Sequence, residues 1–211
     1  MSIEAFILVG GRSNRLGRDK AFERIGGMTM AERVLKTVND SAIASKIYFV
    51  TGNEVQFAIE AARLDAPFVF DVIEGRGPLG GLYTALTYAD ADWVFLLACD
   101  LPFVTPDLIT NLSRYTHGEY ESFGAIVPEQ PDGRLQPLCA FYDVKKVKPI
   151  VDEIIHRPRF SPPMHEVVAQ LHPLIVKPDE YNPITAPPIT YFTNINTEED
   201  LEQAREIERK L

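Results

Sequence analysis

The sequence contains no apolar run approaching the roughly 18 residues needed to cross a bilayer as a helix, which excludes a membrane anchor of that kind. Positive charge is short: 21 Lys and Arg stand against 30 Asp and Glu, a formal net charge of −9 with a pI near 5.0. A broad basic surface for nucleic acid is therefore excluded, and any polyanionic ligand must be held locally. Cysteine is scarce, with only Cys99 and Cys139 in apolar surroundings. That usage excludes a disulfide-built scaffold and suits a reducing compartment, both side chains reading as small buried hydrophobes. The four histidines, His117, His156, His165 and His172, lack the spacing of a zinc site. The first residues lack a basic stretch followed by an apolar segment and a cleavage site, so the expected location is the cytoplasm.

What remains is ordinary globular composition, 45% apolar and 24% charged over 211 residues. With no internal repeat and no linker, residues 1–211 read as one domain. Residues 3–9, IEAFILV, form a short branched apolar run that predicts a buried strand. Thr29 and Glu32 fit a capping box, in which each side chain satisfies a free backbone N–H at a helix start, and predict a helix over about 29–39. The alternation continues with a strand at 46–51, a helix at 54–64, a strand at 67–70, a helix from near Pro78 and a fully apolar strand at 93–98. Thr105 and Pro106 supply an N-cap and a first-turn proline for a helix reaching about Tyr115. Doubly apolar strands separated by helices predict an α/β fold with a mainly parallel sheet covered on both faces, its ligands bound at the strand C-termini. After residue 122 the rhythm changes. FGAIVP and LQPLCAFY flank Pro131-Asp132-Gly133 as a hairpin-like pair, and a last helix follows the Thr197 cap. Prolines crowd the stretch from His156 to Tyr191, which reads as a smaller irregular region, with 177–190 as a long loop.

The stretch LVGGRSNRLGRDK, residues 8–20, follows the first strand. Gly10, Gly11 and Gly17 let backbone amides approach an anion, while Arg12, Arg15, Arg18 and Lys20 concentrate a charge that suits a polyphosphate. It fits neither the dinucleotide fingerprint G-x-G-x-x-G nor the Walker loop, since Gly17 is followed by Arg18. Asp100 falls just past the apolar strand 93–98, where a hard carboxylate oxygen suits Mg²⁺, an ion that needs only one or two protein carboxylates beside substrate phosphates. Helix capping or loop ordering would explain the same aspartate structurally. In GPLGGL, residues 77–82, the glycines are costly in a helix and imply close approach of a loop or ligand.

The pattern L-x-G-G-x-S-x-R-x-G-x-D-K is carried by Leu8, Gly10, Gly11, Ser13, Arg15, Gly17, Asp19 and Lys20. Asp71 ahead of GPLGGL, ACDLPF at 98–103, GRLQPLCAFY at 133–142 and FTNINTEEDL at 192–201 follow in order. With these five motifs the chain resembles the molybdenum cofactor guanylyltransferases from residue 6 to about 204.

The resemblance implies a Rossmann-like three-layer sandwich and transfer of GMP from GTP to molybdopterin, with release of pyrophosphate and Mg²⁺ as cofactor. It implies Asp100 as metal ligand, and Arg15 and Lys20 on the triphosphate and leaving pyrophosphate. Leu8, Val9, Gly10, Gly11, Asn53 and Asp71 would surround the nucleotide. Gln136, Asn194 and Asn196 would lie on the pterin side, within the irregular C-terminal region. Val9 stands where these enzymes most often carry alanine, whereas related cytidylyltransferases usually read L-A-A-G and lack GPLGG. The implied partners are GTP and molybdopterin, with transient contacts to other cofactor-biosynthesis or acceptor proteins, and neither nucleic acid nor membrane. Cytidylyl transfer to the same pterin, nucleotidyl transfer to a sugar phosphate and a non-catalytic nucleotide-binding module remain alternatives.

Overall fold

The computed structural model describes residues 1–9, 20–52, 64–157, 161–181 and 191–209. Gly10, Gly11, Arg15 and Asn53 lie outside these residues, as do the expected helix at 54–64 except its last residue, and residues 182–190 of the expected loop.

A seven-stranded sheet runs through the molecule. In chain order its strands are β1 (Ile3–Leu8), β4 (Lys46–Thr51), β5 (Phe68–Phe70), β6 (Trp93–Ala98), β7 (Ala125–Pro128), β8 (Cys139–Asp143) and β9 (Pro173–Val176). A two-stranded ribbon, β2 (Arg24–Ile25) with β3 (Met28–Thr29), stands apart from it. Across the sheet the order is β5-β4-β1-β6-β8-β7-β9, and only β8 runs antiparallel to its neighbours. This is the mainly parallel α/β sheet that the apolar runs predict.

Side chains alternate across it because successive residues of a strand face opposite ways. Ile7, Phe95 and Phe141 belong to one core cluster, where α1 (Met30–Ser41) and α3 (Pro106–Ser113) contribute Val34, Val38, Leu108 and Leu112. Phe6, Val94 and Leu96 belong to the other, beneath α2 (Gly77–Tyr88), α4 (Val144–Ile155) and α5 (Met164–Ala169). Three layers result. Cys99 and Cys139 are both buried, and burial pushes the Cys139 thiol above its ordinary pKa. No helix among the described residues is long and apolar enough to cross a membrane.

The capping box expected at Thr29 and Glu32 forms. Thr29 receives the Glu32 N–H, and Glu32 accepts from the Thr29 N–H at 2.7 Å. The last helix, α7 (Glu198–Glu208), begins with the same reciprocal pair between Thr197 and Asp200. The pair β7–β8 forms around a tight turn, in which Gln130 N–H donates to the Arg134 carbonyl at 2.7 Å.

The proline-rich region is more regular than its composition suggests. It contains α5, β9 and a short helix α6 (Pro178–Tyr181), so the loop expected from residue 177 is corrected in its first residues. The prolines sit where no N–H is needed: Pro163 caps α5, Pro173 opens the edge strand β9, and Pro178 opens α6. Pro149 lies inside α4 at an exposed position.

Two glycines permit close contacts. A Cβ on Gly81 of α2 would lie 2.6 Å from Leu8 Cδ2, so the expected close approach is to the end of β1. A Cβ on Gly124 would lie 2.3 Å from the Leu171 carbonyl oxygen, at the connection that brings β9 beside β7. Gly124→Ala should therefore cost about 1–3 kcal/mol of stability, because backbone must move. Gly81→Ala should cost less, since Leu8 can rotate and alanine regains up to about 1 kcal/mol of helix propensity. Denaturant melts of the two variants check the ranking. The hydrogen bond from the Thr29 N–H holds the Glu32 carboxyl below its ordinary pKa of 4.5. A group depressed by folding stabilises above its unfolded pKa and loses that contribution as pH falls through the folded one. The thermal midpoint of the protein should therefore exceed that of Glu32→Gln at pH 7, with the gap narrowing as the pH falls below the ordinary carboxylate range.

Candidate functional site at the strand C-termini

The parallel strands β5, β4, β1 and β6 all end on one edge of the sheet, and backbone hydrogen bonds carry their register past the last paired residues. Asp71 N–H donates to Thr51 O at 2.9 Å, Val9 N–H to Val50 O at 2.9 Å and Cys99 N–H to Leu8 O at 3.0 Å. Leu8, Val9, Asp71 and Asp100 are thereby placed along one line. Asp71 and Asp100 lie three strand positions apart, roughly 14 Å at the usual spacing between strands.

Asp100 lies two residues past the end of β6. Its Oδ1 is buried and has no hydrogen-bond partner among the described residues. Burial pushes the Asp100 carboxyl above its ordinary pKa, and the Lys20 ammonium pulls in the opposite direction. Lys20 opens a short 3₁₀ turn, Lys20–Phe22, and its Nζ donates to Asn196 Oδ1 at 2.5 Å. The preceding residue, Ile195, donates its N–H to the Asp100 carbonyl at 3.1 Å. Lys20, Asp100 and Asn196 therefore come together from the two ends and the middle of the chain.

Asp71 belongs to the other end of this edge. Burial raises its pKa, while Thr84 from α2 donates to its Oδ1 at 3.4 Å. The Thr84 hydroxyl also receives the Val72 N–H at 3.0 Å, which fixes the turn after β5. Sequence reasoning missed Thr84, because a lone threonine inside a helix carries no signal of what lies beneath it. It also missed Asp200 as a site residue. The sequence announced a cap at Thr197, but not the Asp200 carboxylate that accepts the Asn196 N–H at 2.8 Å.

Val9 is buried in the same core cluster as Ile7, so the methyl groups that distinguish it from alanine lie in the core. Gln136 is buried on the connection between β7 and β8, with its N–H on Pro128 O at 2.9 Å. Tyr142 OH donates to the Pro137 carbonyl at 2.7 Å, and Ala98 N–H to Leu138 O at 2.9 Å. This connection therefore lies against the end of β6, on the opposite side from β1. Asn194 is exposed beside the 195–196 turn.

The described residues contain no group of three or more His, Cys, Asp or Glu able to enclose a metal. A single carboxylate at Asp100 suits magnesium, an ion that completes its shell with oxygen ligands from substrate and water. The buried Oδ1, unpartnered among the described residues, is an oxygen ligand of the right chemistry, so the residues present fit such an ion.

Comparison with known proteins gives this edge a context. Residues 5–160 match the family model of the MobA-like NTP transferase domain. A probable molybdenum cofactor guanylyltransferase of Bacillus cereus (strain G9842) is 28% identical, over 94% of each chain. A protein of the same name from Geobacillus sp. (strain WCH70) is 31% identical over 68% of this chain and 71% of its own. The crystal structure of molybdopterin-guanine dinucleotide biosynthesis protein A from Archaeoglobus fulgidus superposes with a TM-score of 0.79 at 25% identity, covering 99% of this chain and all of the other. With the family model spanning most of the chain, and with a mostly parallel sheet whose C-terminal edge gathers Lys20 and Asp100, the protein belongs to the MobA-like NTP transferases, a family of nucleotidyltransferases.

Proposed function

We propose that the protein is a molybdenum cofactor guanylyltransferase that transfers GMP from GTP to molybdopterin. The observation that carries this reading is the buried Oδ1 of Asp100, unpartnered among the described residues and under the influence of the Lys20 ammonium, at the C-terminal edge of the sheet. The names of the relatives supply the choice of substrates.

In the reaction, a phosphate oxygen of molybdopterin attacks the α-phosphorus of GTP. The bond to the bridging oxygen of the β-phosphate breaks, and pyrophosphate leaves. Such transfers depend chiefly on holding two anions in line and neutralising charge on the transferring and departing groups. Lys20 is assigned to the triphosphate and the departing pyrophosphate. Arg15, by resemblance, joins it. Asp100 would hold Mg²⁺, which when bound supplies Lewis acidity and a template for phosphate oxygens.

Leu8, Val9, Gly10 and Gly11, with Asn53 and Asp71, are assigned to the base and ribose. The separation of Asp71 from Asp100 is one that an extended nucleoside triphosphate can cover. The backbone of residues 8 and 9 is pinned between β4 and β6, so a nucleotide would meet a preset surface. Gln136, Asn194 and Asn196 are assigned to the pterin side, where the β7–β8 connection and the 195–196 turn flank Asp100. The cytoplasm is the proposed location, and 1–211 the proposed extent of the domain.

Mixing the protein with GTP, Mg²⁺ and molybdopterin should release pyrophosphate and form the guanine dinucleotide; no release with a competent pterin would sink the enzymatic reading. In a competition among GTP, CTP and ATP the guanine product should predominate, and a cytosine product would move the assignment to the cytidylyltransferases. Asp100→Asn should lower the transfer rate by roughly 10²-fold or more, the scale seen when one group stabilising transition-state charge is removed. Its thermal midpoint should not fall, because the substitution removes a buried carboxylate. An unchanged rate at saturating Mg²⁺ would exclude Asp100 as metal ligand.

A further inference from the structure

We propose that Asn196 is a positioning residue that acts through Lys20, holding the loop ammonium in place beside Asp100 before any nucleotide arrives. The inference rests on the nucleotidyl-transfer reading above and gives Asn196 a task on the nucleotide side of the site. Its basis is the 2.5 Å bond from Lys20 Nζ to Asn196 Oδ1, between residues 176 positions apart.

The acceptor is itself rigidly mounted. The Ile195 side chain is fully buried with Ile25, Met30, Phe103, Leu201 and Ala204, and its N–H is bonded to the Asp100 carbonyl. The Asn196 and Thr197 N–H groups both donate to Asp200 Oδ2, each at 2.8 Å. Burial works against the ionised Asp200 carboxylate, but these donors, the Thr197 hydroxyl and the charge of Lys20 outweigh it, so its pKa lies below the ordinary value. One short turn thus holds Asp100 through a backbone carbonyl and Lys20 through a side-chain amide.

The chemistry of the acceptor suits this task. A lysine side chain is long and loses considerable rotamer freedom when it binds a phosphate, and a bond formed in advance removes part of that loss. The amide oxygen is neutral, so it orients the ammonium without cancelling the charge a triphosphate needs. A carboxylate at the same position would hold the cation more strongly and repel the ligand.

A double-mutant cycle on GTP binding, measured by calorimetry with Mg²⁺, tests the proposal. Lys20→Ala should weaken GTP binding, and Asn196→Ala alone should weaken it by roughly 3–30-fold. Asn196→Ala should add nothing in the Lys20→Ala background, and neither substitution should change binding of guanosine, which has no phosphates. Asn196→Asp, which keeps an acceptor but adds charge, should bind GTP more weakly than Asn196→Ala. Losses that simply add in the double variant, or an equal loss of guanosine binding, would overturn the role of Asn196. Acylation of Lys20, followed by mass spectrometry on the free protein, should quicken in Asn196→Ala while other lysines stay unchanged, and an unchanged Lys20 rate would overturn the tether. Failure of the native protein to bind GTP, CTP or ATP would instead overturn the nucleotidyl-transfer reading, and the role of Asn196 with it.

Discussion

The parallel pairing of β1 with β6, in register from Ile3 against Trp93 to Leu8 against Ala98, is the seam from which the site is set out. One bond beyond it, Cys99 N–H on Leu8 O, fixes where Asp100 leaves the sheet. On one side β4 holds Val9 through Val50. On the other, the backbone at Leu138 meets Ala98 and brings Gln136 to the same edge. Even the glycines of GPLGG refer to this seam, because Gly81 leaves the space that the Leu8 side chain fills. A parallel sheet aligns strand ends that are far apart in sequence, and a ligand site at that edge therefore draws on many segments.

Electrostatics gives the seam its chemical meaning. Leaving a buried polar atom without a partner costs on the order of 1–3 kcal/mol, and the Oδ1 of Asp100 is such an atom among the described residues. Carboxylates hydrogen-bonded at helix starts show the contrast. Glu32 and Asp200 accept backbone N–H groups at helix starts and titrate below their ordinary values, whereas Asp100 and Asp71 are raised by burial. Among the carboxyl groups of the described residues, the two shifted toward the neutral form thus both lie at the edge where a ligand is proposed, as perturbed groups do at functional sites. The acidity of the whole chain makes the Lys20 ammonium a local feature, held by an amide and acted on by two carboxylates.

Local patterns were legible wherever one segment carried its own signal. The apolar runs at 3–9, 46–51 and 93–98 form central strands, and Thr29-Glu32 and Thr105-Pro106 cap the helices they announce. The C-terminal half was less legible because proline composition and proline position carry different information. Pro163, Pro173 and Pro178 occupy places that tolerate a missing N–H, so α5, β9 and α6 form in a stretch that reads as irregular. Val9 shows the same limit at the site. Its identity as a departure from alanine is visible in the sequence, but only the packing reveals that its methyl groups enter the core.

The amino-acid sequence by itself determined the alternation of strand and helix, the caps, and the presence of a glycine-rich cationic stretch and an aspartate at a strand end, since each depends on neighbours within a few positions. Tertiary structure alone decided that Lys20 meets Asn196, that Ile195 holds Asp100, and that Thr84 supports Asp71. These contacts join residues separated by 13 to 176 positions and depend on the packing of helices on a shared sheet. No local periodicity encodes such meetings.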